Sequence, residues 1–530
     1  MTTLKHVTAA ELRRHWANRL EIALLDVREE GPFAESHPLF ALSVPVSEIE
    51  KKLPPLAPRL SAPIVVYDNG EGYTERAASR ILALGYQDVA ILEGGLSRYA
   101  RVGEVYRDVN VPSKAFGELV ESINHTPSLS ARDVKDLLES ERNVVLLDAR
   151  RFEEYNTMSI PGGRSCPGGE LVYRIFEATA SSKTTVIVNC AGRTRSIIGT
   201  QSLINSGIPN KVVALRNGTI GWTLDGLELD TKKTERISEP SAEALQKARQ
   251  HAKSWADYVG VSTIDSGKLS QLATESQDRT LYLLDVRDPE EYALSHPLGF
   301  SNAPGGQLVQ ATDEWVGIRG ARIVLYDNDG VRAHMTASWL LQLGWEVYVL
   351  ETQSLVPVNL PVPKTPLWQS SKSGAITVDE LQDLTGATIV DLARSPSYRK
   401  GHIPGAWFAS GPELVRDLSS IAGDGPIVIT SPDGDIAAAN IEFARNSTSR
   451  DVFYLAGGTA AWVAAGHALE TESRWLSPPI DVYKRPYEGT SNARKDMQAY
   501  LDWEYGLIAQ LANDGVACFH VVRDRRGQSG

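Results

Sequence analysis

Cysteine is scarce in this chain, and its 530 residues include only Cys166, Cys190 and Cys518. Three cysteines with uneven spacing are too few for a disulfide framework or a thiolate zinc site. The sequence also lacks a run of 18 apolar residues, and its amino terminus has no basic segment followed by an apolar run. We therefore expect a cytoplasmic protein with no membrane association and no metal.

Basic charge is also under-represented, since 54 Lys and Arg residues face 66 Asp and Glu residues, for a net charge of −12. No basic stripe with interleaved aromatic residues is present, so we expect no nucleic-acid partner. Apolar residues make up 42% of the chain and charged residues 23%, which is typical of globular domains. A chain of this length exceeds what one hydrophobic core serves and predicts several domains.

A short apolar run that ends in an acid recurs four times. The strings are ALLDVR, VLLDAR, YLLDVR and IVDLAR, and their acids are Asp26, Asp148, Asp285 and Asp391. Continuous runs rich in Leu and Val are typical of buried parallel strands. The recurrence indicates four copies of one structural unit.

A second apolar run follows each of these acids by 42, 42, 42 and 40 residues. These second runs end at Asp68, Cys190, Asp327 and Ser431. A polar loop and a helical pattern come next in every copy, and in copies one, two and four a later Gly precedes an aromatic residue by four positions. Each copy therefore has a strand, a tight loop and a helix in succession.

The alternation of strands and helices predicts four tandem doubly wound α/β domains with central parallel sheets. We place them at residues 1–105, 126–230, 256–360 and 372–472, with a mostly helical C-terminal extension at 473–530. The polar segments 104–126 and 230–256 are interpreted as linkers, the second of them as a turn followed by a solvated helix. An apolar helix face in the extension is expected to pack onto a domain, and comprises Met497, Tyr500, Leu501, Leu507, Ile508 and Leu511.

Cys190 is the strongest candidate for a catalytic residue. A cysteine between a buried strand and a helix receives loop N–H groups and the positive end of the helix dipole, and both favour thiolate. Arg193 and Arg195 are expected to lower its pKa further and to attract anions. No histidine lies between His125 and His251, so a Cys–His pair would need a base from another domain. The alternative is a buried cysteine that only packs.

These motifs resemble the rhodanese family of sulfurtransferases over roughly residues 1 to 475. The matching strings are the strand-end DVR or DAR, GHIPGA at 401–406, SIPGG at 159–163, NGTIGW, GGTAAW and the strand–cysteine loop. The resemblance implies a persulfide carried on Cys190, with no metal and no organic cofactor. It implies that domains 1, 3 and 4 are inactive, because they hold Asp68, Asp327 and Ser431 at the cysteine position.

The resemblance also implies the substrates and the residues that bind them. The donor would be a small anion, thiosulfate or a low-molecular-weight persulfide, and the acceptor a thiol or cyanide; a sulfur-accepting protein is a further candidate partner. The implied substrate-binding residues are Ala191, Gly192, Arg193, Thr194, Arg195, Ser196 and Arg174.

Several alternatives stay open at this point. The loop CAGRTR matches neither the CRKGVT type associated with thiosulfate nor the CGSGVT type associated with mercaptopyruvate, so the donor is not assigned. A sulfur-sensing or partner-binding scaffold with little turnover is the second hypothesis, and a phosphatase or arsenate reductase the third. Cys166 is either a sulfur-relay residue or a buried structural thiol.

Overall fold

The computed structural model describes residues 4–140, 143–351 and 373–523. These residues form four five-stranded sheets with one strand order: the first strand of each domain lies at an edge, followed by the fifth, fourth, second and third. All neighbouring strands are parallel. The predicted fold class is therefore confirmed. The third-domain string ETQSLVPV lies, after its first residue, outside the described residues.

Domains 1 and 4 belong to one compact unit, Met1–Glu11, Ala23–Val109 and Lys364–Tyr483. The strands of domain 1 are β1 (Lys5–Val7), β2 (Ala23–Asp26), β3 (Ala41–Ser43), β4 (Ile64–Tyr67) and β5 (Val89–Leu92). Its helices are α1 (Ala9–Ala17), which runs past the end of the unit's first segment, α2 (Glu30–Glu35), α3 (Ile49–Leu56), α4 (Thr74–Ala83) and α5 (Gly95–Tyr99).

Domains 2 and 3 belong to a second unit, Leu12–Ile22, Asn110–Pro363 and Lys484–Gly530. The strands of domain 2 are β6 (Ser128–Leu129), β7 (Val144–Asp148), β8 (Arg164–Ser165), β9 (Thr185–Asn189) and β10 (Val212–Leu215). Its helices are α6 (Val111–Asn124), α7 (Ala131–Ser140), α8 (Phe152–Thr157), α9 (Leu171–Ala178), α10 (Thr194–Asn205) and α11 (Gly218–Leu224).

Domain 3 repeats the same order of elements. Its strands are β11 (Ser262–Ile264), β12 (Leu281–Asp285), β13 (Ser301–Asn302), β14 (Arg322–Tyr326) and β15 (Glu346–Leu350). Its helices are α12 (Ala242–Val259), α13 (Ser266–Thr274), α14 (Pro289–Leu294), α15 (Gly305–Gln310) and α16 (Arg332–Gln342).

Both edge strands of domain 4 are two residues long, as they are in domain 2. Its strands are β16 (Ala375–Ile376), β17 (Thr388–Asp391), β18 (Trp407–Phe408), β19 (Ile427–Thr430) and β20 (Val452–Leu455). Its helices are α17 (Val378–Asp383), α18 (Ser395–Lys400), α19 (Leu414–Ser420), α20 (Asp435–Asn446) and α21 (Gly458–Ala464). After it comes α22 (Arg494–Asp514), which belongs to the second unit.

The two segments interpreted as linkers contain helices that are part of the second unit. In α6, Lys114 and Glu118 are 4% and 3% exposed, and α12 buries Ala248 and Trp255 in the core of domain 2. The interpretation as polar linkers is therefore wrong. A helix can carry many charged residues and still bury one face, and the sequence pattern alone did not identify the partner of that face.

The C-terminal helix α22 packs as predicted. The predicted positions Met497, Tyr500, Leu501, Leu507 and Leu511 are buried, while Ile508 is half-buried. Glu504 lies on the same face and is 1% exposed. A carboxyl group was therefore missed within a face that the sequence indicated as apolar.

The recurring strand-end acid is the last residue of β2, β7, β12 and β17. In domain 2 the carboxylate of Asp148 accepts hydrogen bonds from Arg150 Nε at 2.9 Å and Nη2 at 2.6 Å, and both side chains are buried. Domains 1 and 3 repeat this pair. In domain 4 Ala393 stands at the arginine position, and burial raises the pKa of Asp391 to about 6. The DVR motif is therefore a buried ion pair that domain 4 lacks.

This difference predicts opposite effects of one substitution in two domains. Asp148→Asn leaves Arg150 buried without its carboxylate, and should lower the stability of domain 2 by about 3 kcal/mol. Asp391→Asn removes a carboxylate whose raised pKa makes folding of domain 4 less favourable as pH rises from about 4 to about 6. It should therefore raise stability at pH 7 by about 2 kcal/mol. Hydrogen exchange of the β7 and β17 peptides in the full chain measures both effects, and equal signs would contradict this account.

Candidate active site

Cys190 follows directly after the buried strand β9, and four residues later α10 begins. Its thiol donates to Ser196 Oγ at 3.5 Å, and that hydroxyl donates to the carbonyl of Arg193 at 2.8 Å. The backbone N–H of Ser196 also bonds to the sulfur. The first turn of α10 thus directs its free N–H end at Cys190, as the strand, loop and helix order predicts.

Helix α11 packs against the cysteine loop and donates hydrogen bonds to its carbonyl groups. Thr219 N donates to the carbonyl of Cys190 at 2.9 Å, and Ile220 N donates to that of Ala191 at 3.0 Å. At Gly218, φ is +53°, and a Cβ there would overlap the carbonyl oxygen of Cys190. The glycine of the NGTIGW string is therefore required by the close approach of α11 to the loop.

Carboxylates neutralise both loop arginines. Glu118 of α6 binds Arg193 through two bonds of 2.7 Å, and Glu121 binds the same guanidinium. Glu154 of α8 binds Arg195 at 2.6 and 2.9 Å. The two positive charges that the sequence offered to an anionic donor are thus already paired in this structure.

The pKa of the Cys190 thiol is raised, because Cys190 is 1% exposed and burial disfavours the thiolate. The charge of Arg195 and the hydrogen bonds of Ser196 lower the pKa without overcoming burial. The expectation that the loop lowers the thiol pKa is therefore wrong for this closed arrangement. Burial of the whole loop, which the sequence does not show, outweighs its positive charges.

The C-terminal extension covers the loop. Ala191 and Ile220 form a buried cluster with Tyr487, Met497, Tyr500 and Leu501. Glu504 also faces the loop, because a Cβ at Gly192 would lie 3.3 Å from Glu504 Oε2. The sequence predicted that this helix packs onto a domain, but it did not identify the cysteine loop as the surface that the helix covers; the one available signal was an acid within the apolar face of α22.

Arg174 has other partners. Its guanidinium donates to Glu170 at 2.9 Å, Glu239 at 2.6 Å and the carbonyl of Ile237 at 3.2 Å, none of which belongs to the cysteine loop. Cys166 is fully buried in the domain core, and burial raises its thiol pKa. The structure therefore places the loop residues together with Cys190, and gives Arg174 and Cys166 different surroundings.

In the other three domains the residue at the cysteine position accepts the loop N–H groups. Asp327 receives them from Gly330 at 2.9 Å, Val331 at 3.1 Å and Ala333 at 2.8 Å. Ala437 N donates to Ser431 Oγ at 3.3 Å in domain 4. Like Ser196 in domain 2, Ala333 and Ala437 each lie six residues after the cysteine position. The aspartate of domain 3 thus supplies its own anion to the N–H groups.

Asp68 does the same in domain 1. Its carboxylate accepts from Gly70 N at 3.0 Å and Tyr73 N at 2.7 Å, and the residue is 6% exposed. In loops of this kind the N–H groups that would hold a second anion are already occupied by the aspartate.

The chain is an α/β protein with four copies of one domain. In one copy a cysteine lies between the end of a parallel strand and the N-terminus of a helix. A model of the rhodanese-like domain matches residues 8–101, 130–225, 268–352 and 377–465, so the chain belongs to the rhodanese family. Each matched range lies within one of the four domains placed from the sequence.

Two relatives illustrate this membership. The crystal structure of a thiosulfate sulfurtransferase from Pseudomonas aeruginosa is 49% identical, with a TM-score of 0.94 over 98% of this chain and 100% of that one. The thiosulfate sulfurtransferase GlpE of Pseudoalteromonas translucida (strain TAC 125) is 30% identical over 86 residues, which is 16% of this chain and 82% of that protein. Among the described residues, none of the helices is both long and apolar enough to cross a membrane.

The pairing of Arg195 yields a prediction about thiol reactivity. Glu154→Gln removes the negative charge that neutralises Arg195, so the uncompensated guanidinium should lower the pKa of Cys190 by about 1. Alkylation of the Cys190 peptide as a function of pH, followed by mass spectrometry, measures this pKa. Glu153→Gln is the matched control, because Glu153 is exposed on the same helix. Equal alkylation profiles for the two variants would refute the electrostatic role of Glu154.

Proposed function

We propose that this chain transfers sulfane sulfur from a small donor to a thiol or cyanide through a persulfide on Cys190. The chain is an enzyme of the rhodanese type, a sulfurtransferase, by family membership and by its 49% identity to a thiosulfate sulfurtransferase over nearly its whole length. The observation that supports the carrier is the position of Cys190 before α10, where the N–H of Ser196 bonds to its sulfur.

The reaction has two displacement steps. The Cys190 thiolate attacks the outer sulfur of the donor; a new S–S bond forms, and the bond to the rest of the donor breaks with its electron pair on the leaving group. That group is sulfite from thiosulfate, or a thiolate from a persulfide. The acceptor then attacks the outer sulfur of the persulfide, and Cys190 leaves as thiolate. No external oxidant or reductant is needed.

The residues of the loop have separate roles in this scheme. Ser196 holds the sulfur through its N–H and hydroxyl, and Arg195 favours the anionic forms by its charge. Loop amides from Ala191 to Ser196 would cradle the persulfide as the carboxylate of Asp327 is cradled in domain 3. Domains 1, 3 and 4 then serve as scaffold. All three cysteines are free thiols, which supports a cytoplasmic setting.

The burial of Cys190 favours one second candidate. At 1% exposure beneath the C-terminal extension, its sulfur is poorly accessible, as expected of a protein that binds or senses sulfur with little turnover. Domains whose loops supply their own anion would then recruit partners. Turnover distinguishes the two: rapid cyanolysis in the presence of donor supports the enzyme, and a persulfide that forms once without turning over supports the scaffold.

The carrier itself is tested by intact mass. After incubation with thiosulfate or glutathione persulfide, the protein should gain the mass of one sulfur atom, and cyanide should remove it. Cys190→Ser should abolish the gain, because serine cannot hold a persulfide, whereas Cys166→Ser should retain it, because Cys166 is enclosed in the domain core. A gain that persists in Cys190→Ser would overturn the assignment.

A further inference from the structure

Glu504 is an unusual group to find beside the cysteine loop. It is 1% exposed, and its Oε1 accepts the hydroxyl of Tyr500 at 2.9 Å. Its second oxygen, Oε2, has no hydrogen-bond partner among the described residues and faces Gly192 of the loop. The helix that carries it lies outside the four ranges matched by the rhodanese model. A buried carboxyl oxygen without a partner is costly to folding, and calls for a role.

The groups around Glu504 shift the pKa of its carboxyl. Glu118 of α6 raises its pKa further, beyond the effect of burial, whereas Lys114 of α6, Tyr500 of its own helix and Arg193 of the loop lower it. Lys114 lies in a cage of aromatic rings, with Nζ 5.3 Å from the ring centre of Tyr500. The outcome is a pKa of about 8 for Glu504. The ionised carboxylate in turn raises the pKa of Cys190, so the two groups sense each other electrostatically.

The loop has little unpaired positive charge to balance the negative charge of a donor. Arg193 is paired with Glu118 and Glu121, and Arg195 with Glu154. A donor whose outer sulfur reaches Cys190 therefore brings its charge to a loop in which the arginines are paired. Glu504 faces the same loop at Gly192. Each further negative charge on the donor meets Glu504 and Glu118 without gaining an unpaired guanidinium of the loop.

We propose that Glu504 is a specificity-determining residue of the Cys190 site, whose carboxylate, once ionised, disfavours doubly charged sulfur donors relative to singly charged ones. This inference rests on the proposed persulfide chemistry at Cys190. It deepens that chemistry by naming the preferred donor class. This class is a sulfane-sulfur compound with at most one net negative charge, such as a monoanionic thiosulfonate or a low-molecular-weight persulfide of that charge.

Two donors that differ by one charge test the proposal. Thiosulfate is a dianion and methanethiosulfonate a monoanion; both present a terminal sulfane sulfur, and they release sulfite and a sulfinate respectively. The quantity to measure is the ratio of kcat/KM for thiosulfate to that for methanethiosulfonate, with cyanide as acceptor. Ionisation of Cys190 affects both donors and cancels in this ratio.

In the wild type the ratio should fall about five- to tenfold as pH rises from 6.5 to about 9.5, because Glu504 loses its proton near pH 8 and then repels the second charge of thiosulfate. Glu504→Gln keeps the shape and the bond from Tyr500 but cannot ionise, so its ratio should stay flat across this range. Asp502→Asn is the matched control, since it removes one charge from an exposed position of the same helix and should retain the wild-type profile.

The outcomes separate this inference from the function on which it rests. A wild type that turns over both donors with a flat ratio, or a Glu504→Gln variant with the wild-type fall, overturns the role of Glu504 and leaves the persulfide mechanism intact. A wild type that forms no persulfide with either donor overturns the proposed function itself. The wild-type pH profile needs no substitution, so poor folding of Glu504→Gln would not prevent a decision.

Discussion

Every domain of this protein depends on the meeting of one strand end with the N-terminus of the next helix. Backbone N–H groups of the loop and of the first turn of that helix lack intrahelical partners, and they point at the residue that follows the strand. In domain 2 this residue is Cys190, and Ser196 supplies the N–H. In domain 3 it is Asp327, which accepts three loop N–H groups. The geometry requires an acceptor at this position, and the side chain placed there decides whether chemistry can follow.

This requirement explains how three copies can lack a cysteine at this position and keep the fold. An aspartate satisfies the loop N–H groups with its own oxygens, so Asp68 and Asp327 stabilise their loops without a ligand. A thiolate or persulfide at Cys190 can play the same part only while it carries negative charge. Domain 2 thus lacks a fixed anion at this position, whereas the aspartates of domains 1 and 3 supply one and Ser431 of domain 4 supplies a neutral acceptor.

Burial and pairing set the balance of charge around Cys190. The loop arginines alone would favour a thiolate, but Glu118, Glu121 and Glu154 pair with them and burial opposes the charged form. The C-terminal helix adds Glu504 to the same region. In the proposed reaction a sulfur donor would meet a nearly neutral, enclosed site, in which small differences in donor charge would have a large effect because water is excluded.

The sequence by itself determined the repeat, the parallel sheets and the position of the candidate nucleophile, because these depend on local patterns. Apolar runs predicted β7 and β9, and the strand-to-helix junction singled out Cys190. The sequence could not determine what faces that residue. Glu118 lies in a segment that looked like a linker, Glu154 in a short helix of the same domain, and Glu504 more than 300 residues further along the chain.

Only the tertiary structure brought these carboxylates to the loop. Burial and pairing depend on distances across the fold, and each reverses an expectation drawn from neighbours in sequence: the thiol pKa is raised instead of lowered, and the arginines are paired instead of available. Local composition sets which charges are present. Tertiary packing sets how much water surrounds them and which opposite charge lies within hydrogen-bond distance, and these two factors govern the energy of an ion in a protein.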